Sequence, residues 1–238
     1  MDGLLGEFGS GDALARAESW RYSRHALRAL EQLPFRNAAG NAQLPPALIE
    51  RFDWPQTRGH RLVFVNGVLD AAHSDAGTSD AIVETAADGA HTIRFRGKGA
   101  LHLVFANVAT DAPLRWNATL HIRAESGKAC VAEQHVGTEG ADVLGVLTSE
   151  ITVGDGATLH TATRGDLPGS ASLVRQTRIS FGSGAGFDST HALCGGRFQR
   201  FDIAAELAGA KAHLAAHGVF ALRGREHVDV HLDVRHAA

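Results

Sequence analysis

Cysteine, methionine, tyrosine and proline are scarce in these 238 residues, with two, one, one and six copies respectively. The two thiols, Cys130 and Cys194, stand 64 positions apart with no C-x-x-C pair. That is poor material for a disulfide framework or a zinc knuckle and fits a reducing compartment. Nowhere does the chain approach the roughly 20 consecutive apolar residues of a membrane span. Its start, Met1-Asp2-Gly3-Leu4-Leu5-Gly6-Glu7, has neither the basic nor the apolar part of a secretory signal, so a cytoplasmic protein is expected. Charge of one sign is lacking too. The 23 basic and 26 acidic residues leave a formal net charge of −3, which offers no footprint for nucleic acid or anionic lipid.

What is abundant is apolar residues, 44% of the chain, and glycine, 27 residues. A chain of this length buries roughly 70–75% of the surface its unfolded form exposes, so it can hold a core without metal or disulfide. From Asp12 to Leu33 the apolar residues Leu14, Trp20, Tyr22, Ala26, Leu27 and Leu30 recur at mostly helical spacing between arginines. This predicts one or two amphipathic helices, capped by Ser10 or Asp12 and ended by Pro34. Pro45, Pro46 and Pro55 mark residues 34–59 as a connector. At Arg61 the period changes to two. Leu62-Val63-Phe64-Val65, Asn66-Gly67 and Val68-Leu69 read as a hairpin, because Asn-Gly supplies the positive φ angles of a type I′ turn. The chain therefore divides into a helical region with its linker, 1–58, and a β-rich body, 59–238.

The body repeats. Gly99-Ala100, Lys128-Ala129, Gly156-Ala157, Gly184-Ala185 and Gly209-Ala210 each separate two apolar-alternating segments, with alanine spacings of 29, 28, 28 and 25. A repeat of this length means stacked units that cannot bury their apolar faces alone. Glycine corners at Gly99, Gly156, Gly184 and Gly209 favour a β-solenoid over the alternative, a β-sandwich, whose turns come every 8 to 12 residues.

Chemistry is harder to find. His227, Asp229, His231 and Asp233 share one strand face, a ligand set that suits zinc or iron. Any solvated strand face looks the same, however, and a metal would need further ligands from adjacent coils. His135, His160, His191 and His217 fall one per coil and are expected to be separately satisfied. Cys194, beside Gly195-Gly196, is the thiol that other groups could best approach, although no Lys or Arg adjoins it to favour the thiolate. Cys130, between Ala129 and Val131, reads as a small core residue. Gly182-Ser183-Gly184-Ala185-Gly186 lacks the Gly-Lys-Ser/Thr ending of a phosphate loop. No catalytic residue announces itself, and His227, His231 and Cys194 are weak metal candidates.

Several patches resemble a known family. Trp20-Arg21-Tyr22-Ser23 is similar to a Trp-basic-Tyr-Thr segment, and Leu62 to Gly67 to a Val-Phe-Val-Asp/Asn-Gly strand. Leu147 to Ala157 is similar to a turn into a β-helix. Gly195-Gly196, Arg200, Asp202, Leu207-Ala208-Gly209-Ala210, Gly218, His227, Asp229 and His236 then follow a Gly-Gly, Arg, Leu-x-Gly, Asp and His pattern. Together they resemble the SufB/SufD family of bacterial iron–sulfur cluster assembly scaffolds. A separate helical N-terminal region and the lack of a SufB-type cysteine pattern set the resemblance on the SufD side. It implies a right-handed parallel β-helix preceded by a small helical region, and a non-catalytic scaffold working with SufB and the ATPase SufC. An iron–sulfur cluster and reduced flavin are implied for the complex, not for this segment. The family pattern runs on past His236 into further coils, a Cys-Ser-His-Gly-type motif with a proposed cluster-ligand histidine, and helices that dock SufC. These 238 residues carry neither motif nor helices, so the resemblance implies a core truncated at its C-terminal end. The enzyme alternative is a small β-solenoid or cupin-like metal-dependent protein using the His227/His231 face, and a third reading is a solenoid that only self-assembles.

Overall fold

Alternation with a period of two governs the chain from His60 onward, and it builds strands. The structure, a computed structural model, describes residues 17–40, 42–52, 60–75 and 81–237. Ser10, Asp12, Leu14 and Pro55, singled out above, lie outside the described residues. The strands are β1 (Arg36–Asn37), β2 (His60–Val65), β3 (Val68–Leu69), β4 (Ala81–Thr85), β5 (His91–Arg96), β6 (Gly99–Asn107), β7 (Leu114–Ser126) and β8 (Lys128–Gly137). They continue with β9 (Val143–Val153), β10 (Thr158–Leu167), β11 (Ala171–Phe181), β12 (Gly186–Gly195), β13 (Phe198–Leu207), β14 (His213–Ala221) and β15 (His227–His236).

From β5 on, successive strands alternate between two sheets. One sheet runs β15-β13-β11-β9-β7-β5-β4 and the other β14-β12-β10-β8-β6-β2-β3. Each coil pairs in parallel with the coil before it, as in Thr158↔Lys128 and Ala171↔Val143. The result is a parallel β-solenoid of about 5 turns, not an antiparallel sandwich. Among the described residues, antiparallel pairing is confined to β2 with β3, β4 with β5 and a single bridge between Arg61 and Asp75. The first of these is the expected hairpin, with Asn66 and Gly67 at φ 48° and 81°. Inward positions of both sheets form one column that includes Phe64, Phe95, Phe105, Leu120, Leu159 and Phe201.

The corners differ in how they use glycine. Gly156 and Gly184 adopt φ 65°, which costs other residues about 1–2 kcal/mol. Gly99 instead begins β6, and the positive φ lies at Gly97. Gly209 has no positive φ; a Cβ there would lie 2.1 Å from the Gly182 carbonyl oxygen, so close approach of successive coils is what demands glycine.

The N-terminal segment is a 3-10 turn, Glu18–Trp20, and helix α1 (Arg24–Glu31). Trp20, Leu27 and Leu30 pack on the outer face of one sheet against Leu144, Val146, Val174 and Phe198. Tyr22, placed on the apolar stripe by spacing alone, is 80% exposed, because it falls between the 3-10 turn and α1, where the phase breaks. The connector is more structured than its prolines suggest. Arg36–Asn37 pairs with β7, and Pro46 opens a short helix, α2 (Pro46–Ile49), since proline at a first helical position gives up no hydrogen bond. Leu48 and Phe52 then cover Val63, Val65, Val104 and Val136 on the other sheet. Where a strand is covered on both faces its residues are continuously buried, as at Val143 to Leu147, and alternation returns beyond the cover.

Cys130 is not a core residue. The alternation puts Ala129 and Val131 inward, so the cysteine between them points out and is exposed.

Candidate functional site

Two clusters of buried polar side chains depart from a simple solenoid. The first centres on Arg200 in β13, which is fully buried. Its Nε donates to Asp202 Oδ2 at 2.8 Å and its Nη2 to Asp202 Oδ1 at 2.6 Å. Nη2 also donates to the Ser19 carbonyl at 2.9 Å, and Nη1 to Asp229 and, at 3.5 Å, to Ser23 Oγ. The guanidinium carbon lies 4.0 Å from the centroid of the Trp20 ring, within cation–π range. Ser23 precedes α1, yet its hydroxyl donates to Asp229 instead of capping the helix. Register explains the meeting: Arg200 faces Asp229 on the neighbouring strand, and Asp202 faces His231. The charge is thus held by two carboxylates, a carbonyl and a π face, as a buried guanidinium requires.

This arrangement decides how the His/Asp face of β15 is used. Asp229 is engaged by Arg200 and Ser23, His231 Nδ1 lies 3.7 Å from Asp202 Oδ1, and the His227 ring leans on Phe198. Cys194 lies on β12 in the opposite sheet, where its Sγ donates to the Gly165 carbonyl at 3.1 Å. Burial, reinforced by Asp166, pushes its thiol up. The structure therefore does not bring His227, His231 and Cys194 together. Among the described residues, no group of three or more His, Cys, Asp or Glu is arranged to hold a metal ion.

The second cluster lies inside the solenoid. Glu133 in β8 contacts His135 Nε2 through Oε1 at 2.7 Å and accepts from Arg175 Nη2 through Oε2 at 2.8 Å. Burial would push the Glu133 carboxyl up; the Arg175 guanidinium and then the His135 hydrogen bond overcome it and hold it at about 2. His135 stacks on Phe105, and His191 meets Phe201 edge-on. Burial, helped by the nearby Arg175 charge, lowers His191 to about 4. The four histidines expected one per coil thus split: His135 and His191 point inward and are buried, while His160 is outside, 3.2 Å from Asp188, and His217 is exposed. His191 is not satisfied, because neither ring nitrogen has a partner in the protein.

Sequence reasoning passed over Glu133 and Arg175. Their signal was available, since both occupy inward positions of strands whose neighbours at i±2 are apolar or buried. Arg200 stands in the sequence only as one member of the Gly-Gly, Arg, Leu-x-Gly pattern.

Two of the patches that carry the family resemblance meet at the first cluster: Trp20 and Ser23 touch Arg200 and Asp229 across some 180 to 206 positions of chain. The family description "SUF system FeS cluster assembly, SufBD core domain" matches residues 106–238, more than half of the chain and the coils that run from the end of β6 to β15. No curated protein and no solved structure matches it. With most of its coils, and Arg200, Asp202 and Asp229 among them, lying within that match, the chain belongs to the SufB/SufD core family of iron–sulfur cluster assembly proteins.

Proposed function

We propose that the chain is a SufD-like scaffold subunit that works without catalysing a reaction itself. Its partners in this reading are SufB and the ATPase SufC, in the cytoplasm. The observation that carries the reading is the match of the family core across residues 106–238. The buried polar groups at the Arg200 junction fix the helical segment to the coils, which suits a part that positions others. The iron–sulfur cluster is cargo in this reading, and reduced flavin belongs to the assembled complex. The described helical segment, Glu18 to Glu31, would lean on the coils as an outrigger available to partners.

Co-expression of the tagged chain with SufB and SufC tests the proposal. Retention of both partners at fixed stoichiometry, together with restored cluster assembly in cells lacking their own SufD, is the expected result. Recovery of the chain alone, with stoichiometric metal that disappears in a His227→Ala, His231→Ala double variant, would instead favour the metalloenzyme.

A further inference from the structure

We propose that the segment from Ser19 to Ala38 is a strap that couples the coils along one sheet, so that its attachment sets how firmly β15 is held. A solenoid is close to one-dimensional: each coil touches only its neighbours, and an end coil can open alone. The strands obey that rule. Among the described residues β15 pairs with β13 and has no strand on its far side.

The segment does not obey it. Ser23 Oγ donates to Asp229 on β15, and the Ser19 carbonyl accepts from Arg200 on β13 at 2.9 Å. Trp20, Leu27 and Leu30 share one buried cluster with Phe198 on β13, Val174 on β11, and Leu144 and Val146 on β9, and Leu33 and Phe35 pack against it. The far end reaches β7. There the Arg36 amide donates to the Pro113 carbonyl at 3.0 Å and the Ala38 amide to the Arg115 carbonyl at 2.7 Å. One continuous stretch of chain thus ties β15, β13, β11, β9 and β7 together. With strands about 4.8 Å apart the span is about 19 Å, which α1, about 12 Å long, and the extended residues after it can cover.

The last described coil carries its own comparison. β14 lies in the other sheet, where the cover formed by Leu48, Arg51 and Phe52 reaches β2, β6, β8 and β10. Val219 and Phe220 of β14 are 63% and 57% exposed. On β15, Val230 and Leu232 are also open, at 43% and 44%, so apolar burial holds neither strand firmly. The difference between them is the strap, whose Ser23 is fully buried at Asp229. Holding or lifting the segment is therefore felt at β15.

Hydrogen exchange on the full chain, read strand by strand, tests the strap. In the unmodified protein the amides of β15 should exchange more slowly than those of β14. Ser23→Ala removes the hydroxyl bonded to Asp229 and should raise exchange in β15 about fivefold while leaving β14 unchanged. Leu27→Ala acts mid-segment, in the cluster over β9, β11 and β13, and should loosen β15 at least as much. Equal protection of β14 and β15 in the unmodified protein, or a rise confined to Arg24–Glu31 in both variants, would overturn the proposal. An equal rise in every strand, β8 and β10 included, would mean general destabilisation without coupling and would overturn it as well.

Discussion

Arg200 holds Asp229 and Asp202 with its nitrogens while its flat face lies 4.0 Å from the centre of the Trp20 ring, so one side chain joins two adjacent coils to the N-terminal segment. Replacing it with methionine would leave two largely buried carboxylates without their cation. A loss of roughly 3–5 kcal/mol in urea unfolding is expected. Proteolysis between Ala17 and Leu33 should accelerate in the same variant. Arg200→Lys should not rescue, because a point charge cannot form the bidentate contact with Asp202.

Glu133 and Arg175 should behave as one unit. Glu133→Gln strands a buried guanidinium and Arg175→Met strands a buried carboxylate, so each alone should cost several kcal/mol, about 3–5. The double variant should be less destabilised than the sum of the two, which a double-mutant cycle by chemical denaturation would measure directly. Simple additivity would mean that the pair is not coupled.

Acid should weaken the fold in two stages. His191 and His102 are lowered from 6.5 to about 4, in both cases chiefly by burial, so the unfolded chain takes up protons first as pH falls. Their neutral forms favour the folded state fully above about pH 6.5, and that contribution is lost between about 6.5 and about 4. The limiting slope is about 1.4 kcal/mol per pH unit for each proton. Glu133, lowered from 4.5 to about 2, adds stability above 4.5 that is lost as pH falls toward 2. Denaturation midpoints from pH 8 to 3 should be flat and then decline, and His191→Gln should flatten the upper stage.

Corner glycines should separate into two kinds. Gly156 has φ 65° with nothing within 4 Å of a Cβ, so Gly156→Ala should cost about 1–2 kcal/mol and Gly156→Asn less. Gly209 touches the preceding coil, and Gly209→Val should disrupt that corner severely despite an ordinary backbone angle. Thermal melting of the three variants checks the order.

Much of this architecture can be read along the chain. The Asn66-Gly67 hairpin depends on residues side by side, and the coil length on corners spaced 25 to 29 residues apart. Inward parity is equally local, and it held even where residue type argued otherwise. Cys130 was assigned to the core for being small and apolar, yet the alternation of Ala129 and Val131 turns it outward. Proline misled in the same way at Pro46, where position in the helix mattered more than the residue's reputation as a breaker.

Period, corners and inward parity were settled by the order of residues alone, because each arises from strand geometry and turn preference over a few neighbours. Which outer faces are covered, why Arg200 can be buried, and how Glu133, Arg175 and His191 come to share one interior were decided only by the fold. Those contacts join residues tens to nearly two hundred positions apart, and although local alternation marks Glu133 and Arg175 as inward, only the stacking of coils pairs them.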